Sequence, residues 1–111
     1  PGIVKPKVSV KLKLNKKFLC PGDKLVATIT LSNIVCNQSI SIKCMGKTKG
    51  IGVKPGKTYS VNFTKVITRD MIGKTIQVNV EVYRFENGKY VLIQRGPGDY
   101  ATVGKEAKLN I

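Results

Sequence analysis

The feature that most constrains this chain is a strict two-residue alternation of apolar and polar side chains. From Lys7 to Leu14, Val8, Val10, Leu12 and Leu14 share one face, while Lys7, Ser9, Lys11 and Lys13 share the other. That is the period of a half-buried strand. Leu25, Ala27, Ile29 and Leu31 repeat it after the turn signal Pro21-Gly22-Asp23. Ile40, Ile42 and Cys44 repeat it before Gly46 to Gly52, a Gly- and Lys-rich stretch read as a loop. Pro55-Gly56-Lys57 then turns the chain into Tyr59, Val61 and Phe63, and Asp70 to Lys74 separates these from Ile76, Val78, Val80 and Val82. Asn87-Gly88, between Val80 to Phe85 and Lys89 to Ile93, specifies a tight hairpin whose two central residues take positive φ. Gly96-Pro97-Gly98-Asp99 ends that hairpin, and a last strand is expected over Lys105 to Ile111. Apolar residues nowhere recur at helical spacing beyond one turn, at Thr68 to Ile72.

A chain of 111 residues is one domain's worth. About seven short strands, each roughly ten residues from the next, predict an all-β fold: a single Ig-like, two-sheet antiparallel β-sandwich spanning 1–111. Residues 1–17 stand out as an N-terminal arm or donor strand. A terminal alternating strand of this type either folds in cis as the first strand or leaves its own sandwich to complete the next subunit's sheet. In the second case Val8, Val10, Leu12 and Leu14 are the inserted residues, each burying apolar surface worth roughly 1.5 to 3 kcal/mol.

Twenty Lys and Arg face six Asp and Glu, and Pro1 to Lys65 holds thirteen lysines with Asp23 as its only acid. Such a field attracts polyanions, including nucleic acid and acidic polysaccharide, or else serves solubility. Lys11, Lys13, Lys43, Lys47 and Lys49 form the candidate anion-binding patch, with Gly46-Lys47-Thr48-Lys49-Gly50 read as a hairpin loop able to hold an anion on its amides and ammoniums. Seventeen of the twenty bases are Lys, which argues against bidentate, base-specific reading. Trp is absent, and the seven Phe and Tyr residues fit core or hairpin positions better than a stacking platform.

Catalytic chemistry finds little purchase. The chain has no His, its carboxylates lie mostly beside turns or strand ends, and Glu81 with Tyr83 two residues on reads as a solvent-facing residue paired to a Lys. No cofactor is expected and no metal, since Cys20, Cys36 and Cys44 include no C-x-x-C pair. The cysteines admit a Cys36–Cys44 or a Cys20–Cys36 disulfide, the odd thiol being buried or offered to a neighbouring subunit, or three reduced thiols. Two sequons, Asn37-Gln38-Ser39 and Asn62-Phe63-Thr64, place candidate glycans on Asn37 and Asn62. No apolar run is long enough to cross a bilayer, and a start at Pro1 fits a mature product as well as an excised piece.

The alternating first strand, Pro21-Gly22-Asp23-Lys24-Leu25, Leu31-Ser32-Asn33 and Pro55-Gly56-Lys57-Thr58-Tyr59 together resemble Ig-like adhesion modules of bacterial and archaeal surface proteins. The resemblance implies a secreted or cell-surface, non-enzymatic subunit that assembles with its own copies, as pilin-like and thread-like filament proteins do. Two competing expectations are a virion coat or decoration protein and a basic module that binds nucleic acid or polysaccharide.

Overall fold

The computed structural model describes residues 8–105. Apart from Lys105, the expected last strand falls outside that range. The order of elements is β1 (Ser9–Leu14), β2 (Phe18–Leu19), β3 (Lys24–Ser32), β4 (Gln38–Cys44), β5 (Lys47–Val53), β6 (Tyr59–Val66), a 3₁₀ turn at Arg69–Met71, β7 (Thr75–Val78), β8 (Val80–Glu86), β9 (Lys89–Arg95) and β10 (Asp99–Val103). The chain is all-β.

The strands form three hydrogen-bonded sheets, in the orders β1-β3-β6, β5-β4-β8-β9 and β2-β10-β7. The latter two share chain: β7 runs into β8 across Asn79, and β9 runs into β10 across Gly96-Pro97-Gly98. The result is sandwich-like, with β1-β3-β6 as one layer. The strand count exceeds the expected seven for local reasons. Met45 and Gly46 both take positive φ (51° and 75°), so β4 turns directly into β5, and Lys47–Val53 is a strand rather than a loop. Asn79 splits the longest run in two, and Asp99 opens β10 instead of merely ending a hairpin. One pairing, β2 with β10, is parallel.

Alternation places the core. Leu25, Ala27, Ile29 and Leu31 of β3 are all buried, as are Ile40, Ile42 and Cys44 of β4 and Val80 and Val82 of β8. With Phe63, Leu19, Val78, Ala101 and Val103 they make one apolar cluster between the layers. The turns that set these registers were legible in the chain. Cys20-Pro21-Gly22-Asp23 closes with Asp23 N–H donating to the Cys20 carbonyl at 3.0 Å while Gly22 sits at φ 95°, the geometry that Pro followed by Gly favours. Asn87 and Gly88 sit at 50° and 81°.

Candidate functional site

Both open sides of the sandwich are closed by side chains crossing between layers. On one side, Lys47 and Lys49 pair with Cys44 and Ile42 across β4–β5 and therefore point inward with them. Their ammoniums donate to the edge carbonyls of Thr64 and Asn62 on β6, and Lys49 lies 5.3 Å from the Phe63 ring centroid. On the other side, Gln94, opposite the buried Val82, reaches back to the first layer. Its Oε1 accepts from Val8 N–H at 3.0 Å and its Nε2 donates to the Val8 carbonyl at 2.8 Å.

These seams divide the expected lysine patch. Lys11 and Lys13 project from β1 on the outer face of the first layer, each beside a hydroxyl, Thr30 and Thr28. Lys43 stands exposed on β4, whereas Lys47 and Lys49 are engaged by β6. The five do not converge. Val8, Val10, Leu12 and Leu14 face this chain's own core, and β1 pairs in cis with β3 from Ser9↔Ser32 to Leu14↔Ala27.

All three cysteines are free. Cys36 precedes β4 and Cys44 ends it, so a strand of roughly 20 Å separates them. Cys20 and Cys36 flank β3, which is longer still. A disulfide needs Cα atoms within about 7 Å, so the length of β4 excludes Cys36–Cys44, and Cys20 and Cys36 are unbridged. Burial raises the pKa of the Cys44 thiol, while Cys36 is exposed.

Asn37 is exposed ahead of β4, and Asn62 is exposed on β6, where its Oδ1 accepts from the Thr28 hydroxyl at 2.9 Å. Glu81 partners not a Lys but Tyr83, whose hydroxyl donates to it at 2.9 Å, and Arg95, 3.7 Å away. That hydrogen bond, with partial burial, raises the pKa of the Tyr83 phenol. Lys17 and Asp99 form an ion pair at 2.7 Å, which raises the lysine pKa and lowers the carboxyl. Among the described residues no three His, Cys, Asp or Glu side chains cluster as metal ligands. No helix is long and apolar enough to cross a membrane.

Five of the seven aromatics, Tyr59, Phe63, Tyr83, Phe85 and Tyr90, lie in or against the core or on the β8–β9 hairpin, as expected. Phe63 is the fully buried one, while Phe85, Tyr90 and Tyr100 are about half exposed. On the outer face of β8–β9, Phe85 sits opposite Tyr90 with ring centroids 5.0 Å apart at 64°, and Leu92 lies opposite Tyr83. Beside them Ser39 and Ser41 of β4 pair with Gly52 and Gly50 of β5. Small residues next to an aromatic wall leave a cleft of about 520 Å³, lined by Asn37, Gln38, Ser39, Gly52, Lys54 and Phe85. A smaller cleft of about 330 Å³ lies at the other end of β4, lined by Lys43, Met45, Gly46, Gln77, Asn79 and Glu81. On the core-facing side of the strand end at the first cleft, Gln38 accepts from Arg84 Nε at 2.6 Å, while its buried Nε2 has no partner. Small-next-to-aromatic pairing across β5, β4 and β8 was invisible until Gly46 to Gly52 became a strand.

No protein-family profile and no curated protein matches the chain. Among solved structures, an alkylpurine DNA glycosylase, AlkC, from Pseudomonas fluorescens, bound to abasic-site DNA, is 16% identical with a TM-score of 0.58 over 87% of this chain. The sporulation control protein Spo0M from Bacillus subtilis is 15% identical with a TM-score of 0.53 over 92%. This chain spans 30% and 51% of those two structures' lengths. The likeness is one of fold.

Proposed function

We propose that the chain is a non-enzymatic structural subunit of an extracellular or cell-surface assembly, joining copies of itself by strand addition at β9. One observation carries this reading. β9 is an edge strand, no strand among the described residues pairs with its outer side, and Tyr90, Val91 and Leu92 are exposed along it. An unpaired edge with apolar side chains is a template for another strand. Its electrostatics favour a like partner. Among the described residues Asp23 is the only acid before β7 apart from Asp70, whereas Glu81, Glu86 and Asp99 accompany Arg84, Lys89 and Arg95 around this hairpin. Copies meeting at β9 avoid the strongly basic first layer.

The alternative route, exchange of β1, requires releasing its pairing with β3 and the Gln94 bridge to Val8. Sedimentation of the full chain at physiological salt is expected to show self-association. Leu92→Lys should return monomers with unchanged unfolding temperature. Assembly that survives Leu92→Lys moves the contact to β1 exchange, and a strictly monomeric parent chain overturns the reading.

A second reading rests on Lys11 and Lys13 beside Thr30 and Thr28 on the outer face of the first layer. That face suits an acidic polymer, nucleic acid included, held through phosphate or carboxylate charge rather than base edges. Affinity would then fall steeply with salt, and Lys11→Ser with Lys13→Ser would reduce it.

A further inference from the structure

We infer that the cleft between the Asn37 loop and Phe85 is a saccharide-binding site, a role independent of assembly at β9. A pyranose has an apolar C–H face and a rim of hydroxyls, so it needs a flat aromatic face beside convergent polar groups. Phe85 supplies the face. It is 48% exposed and held by the edge-on contact with Tyr90. The rim meets the Asn37 carboxamide and the Ser39 hydroxyl, which lie on the same side of the sheet as Phe85. Gly52 makes the room: a Cβ there meets nothing within 4 Å, and its φ is not in the left-handed region. Lys54 is the ionisable side chain lining the cleft, and no carboxylate lines it. Acidic sugars are therefore favoured over neutral ones.

Two sources can present such a ring. One is a free polysaccharide. The other is a glycan on Asn37 itself, since Asn37-Gln38-Ser39 is a sequon and all three residues line the cleft; only this source depends on the chain being glycosylated.

The test is a residue-resolved NMR titration of the unglycosylated full chain with trigalacturonate and with neutral chitotriose. Salt of about 0.5 M suppresses attraction to the exposed lysines. Saturable shifts are expected at Ser39, Gly52 and the side-chain amide of Asn37. Phe85→Ala and Gly52→Leu should each weaken binding by roughly tenfold or more, about 1.4 kcal/mol. Both positions are open to solvent or space, so both variants should keep the parent fold. Repeated at about 0.1 M salt, where an exposed ammonium is less screened, the titration should find trigalacturonate alone weakened at these residues by Lys54→Met, and nothing changed at them by Lys11→Ser with Lys13→Ser. For the attached source, a chain carrying a glycan on Asn37 should unfold at a higher temperature than the bare chain, with the gain lost in Phe85→Ala. The site is overturned if neither probe shifts these residues and the Asn37 glycan gives no Phe85-dependent gain, or if binding ignores Phe85 and Gly52.

Discussion

Gly96 lacks a side chain because two others already hold the space. A Cβ there would lie 2.9 Å from Val10 Cγ1 and 3.1 Å from Val80 Cβ, both in well-packed strands. Gly96→Ala is expected to cost roughly 1 to 3 kcal/mol through overpacking, seen as a lower urea midpoint with an unchanged slope. The thiols offer a sharper test. Cys36 should alkylate quickly in the native protein, Cys20 more slowly, and Cys44 only on unfolding, because burial disfavours its thiolate. A non-reducing peptide map should show no bridge within one chain. Lys17 and Asp99 bring in pH. The lowered Asp99 pKa stabilises the fold above the unfolded carboxyl value near 4, and that contribution disappears as pH falls through the folded value. The raised Lys17 pKa contributes below the unfolded lysine value and is lost as pH rises through the folded one. Lys17→Met should therefore lower the unfolding temperature at neutral pH, with the gap closing in acid.

At the level of elements, what could be read in advance was whatever depended on neighbours in sequence. The alternation in β3 and the turns at Pro21-Gly22 and Asn87-Gly88 act within a few residues, and each appears where the residues put it. β5 could not be read. Lys47-Thr48-Lys49-Gly50-Ile51-Gly52 has no apolar face of its own, and it is a strand because β4 pairs with it and because Met45 accepts an αL conformation that its side chain disfavours. The candidate cleft was hidden for the same reason, since it joins β5, β4 and β8. The inward course of Lys47 and Lys49 likewise follows from register, not composition. Replacing both with Met should uncover the β6 edge and produce concentration-dependent aggregation on size-exclusion chromatography, with little change in monomer stability because exposed ammonium contacts contribute at most about 1 kcal/mol each.

Across the whole molecule, charge and apolar exposure are segregated. The first layer presents Lys11 and Lys13 among hydroxyls, whereas the β8–β9 hairpin presents Phe85, Tyr90, Val91 and Leu92 with acids and bases nearly matched. Ionic strength should act oppositely on the two. Salt weakens polyanion capture by the first layer but screens the long-range repulsion between cationic copies, so self-association through β9 should strengthen between about 50 and 300 mM salt. Sedimentation across that range distinguishes an apolar contact from a charge-driven one.

The open edge of β9 also fixes how far such growth can proceed. An antiparallel β9 paired with the β9 of a second copy is isologous: each strand offers the same patch and is used up by the contact, so the symmetry is a closed two-fold. Propagation beyond a pair then demands a second, heterologous contact elsewhere on the surface. A polymer built from this chain would be a string of two-fold pairs, and its repeat along the axis would be two subunits instead of one.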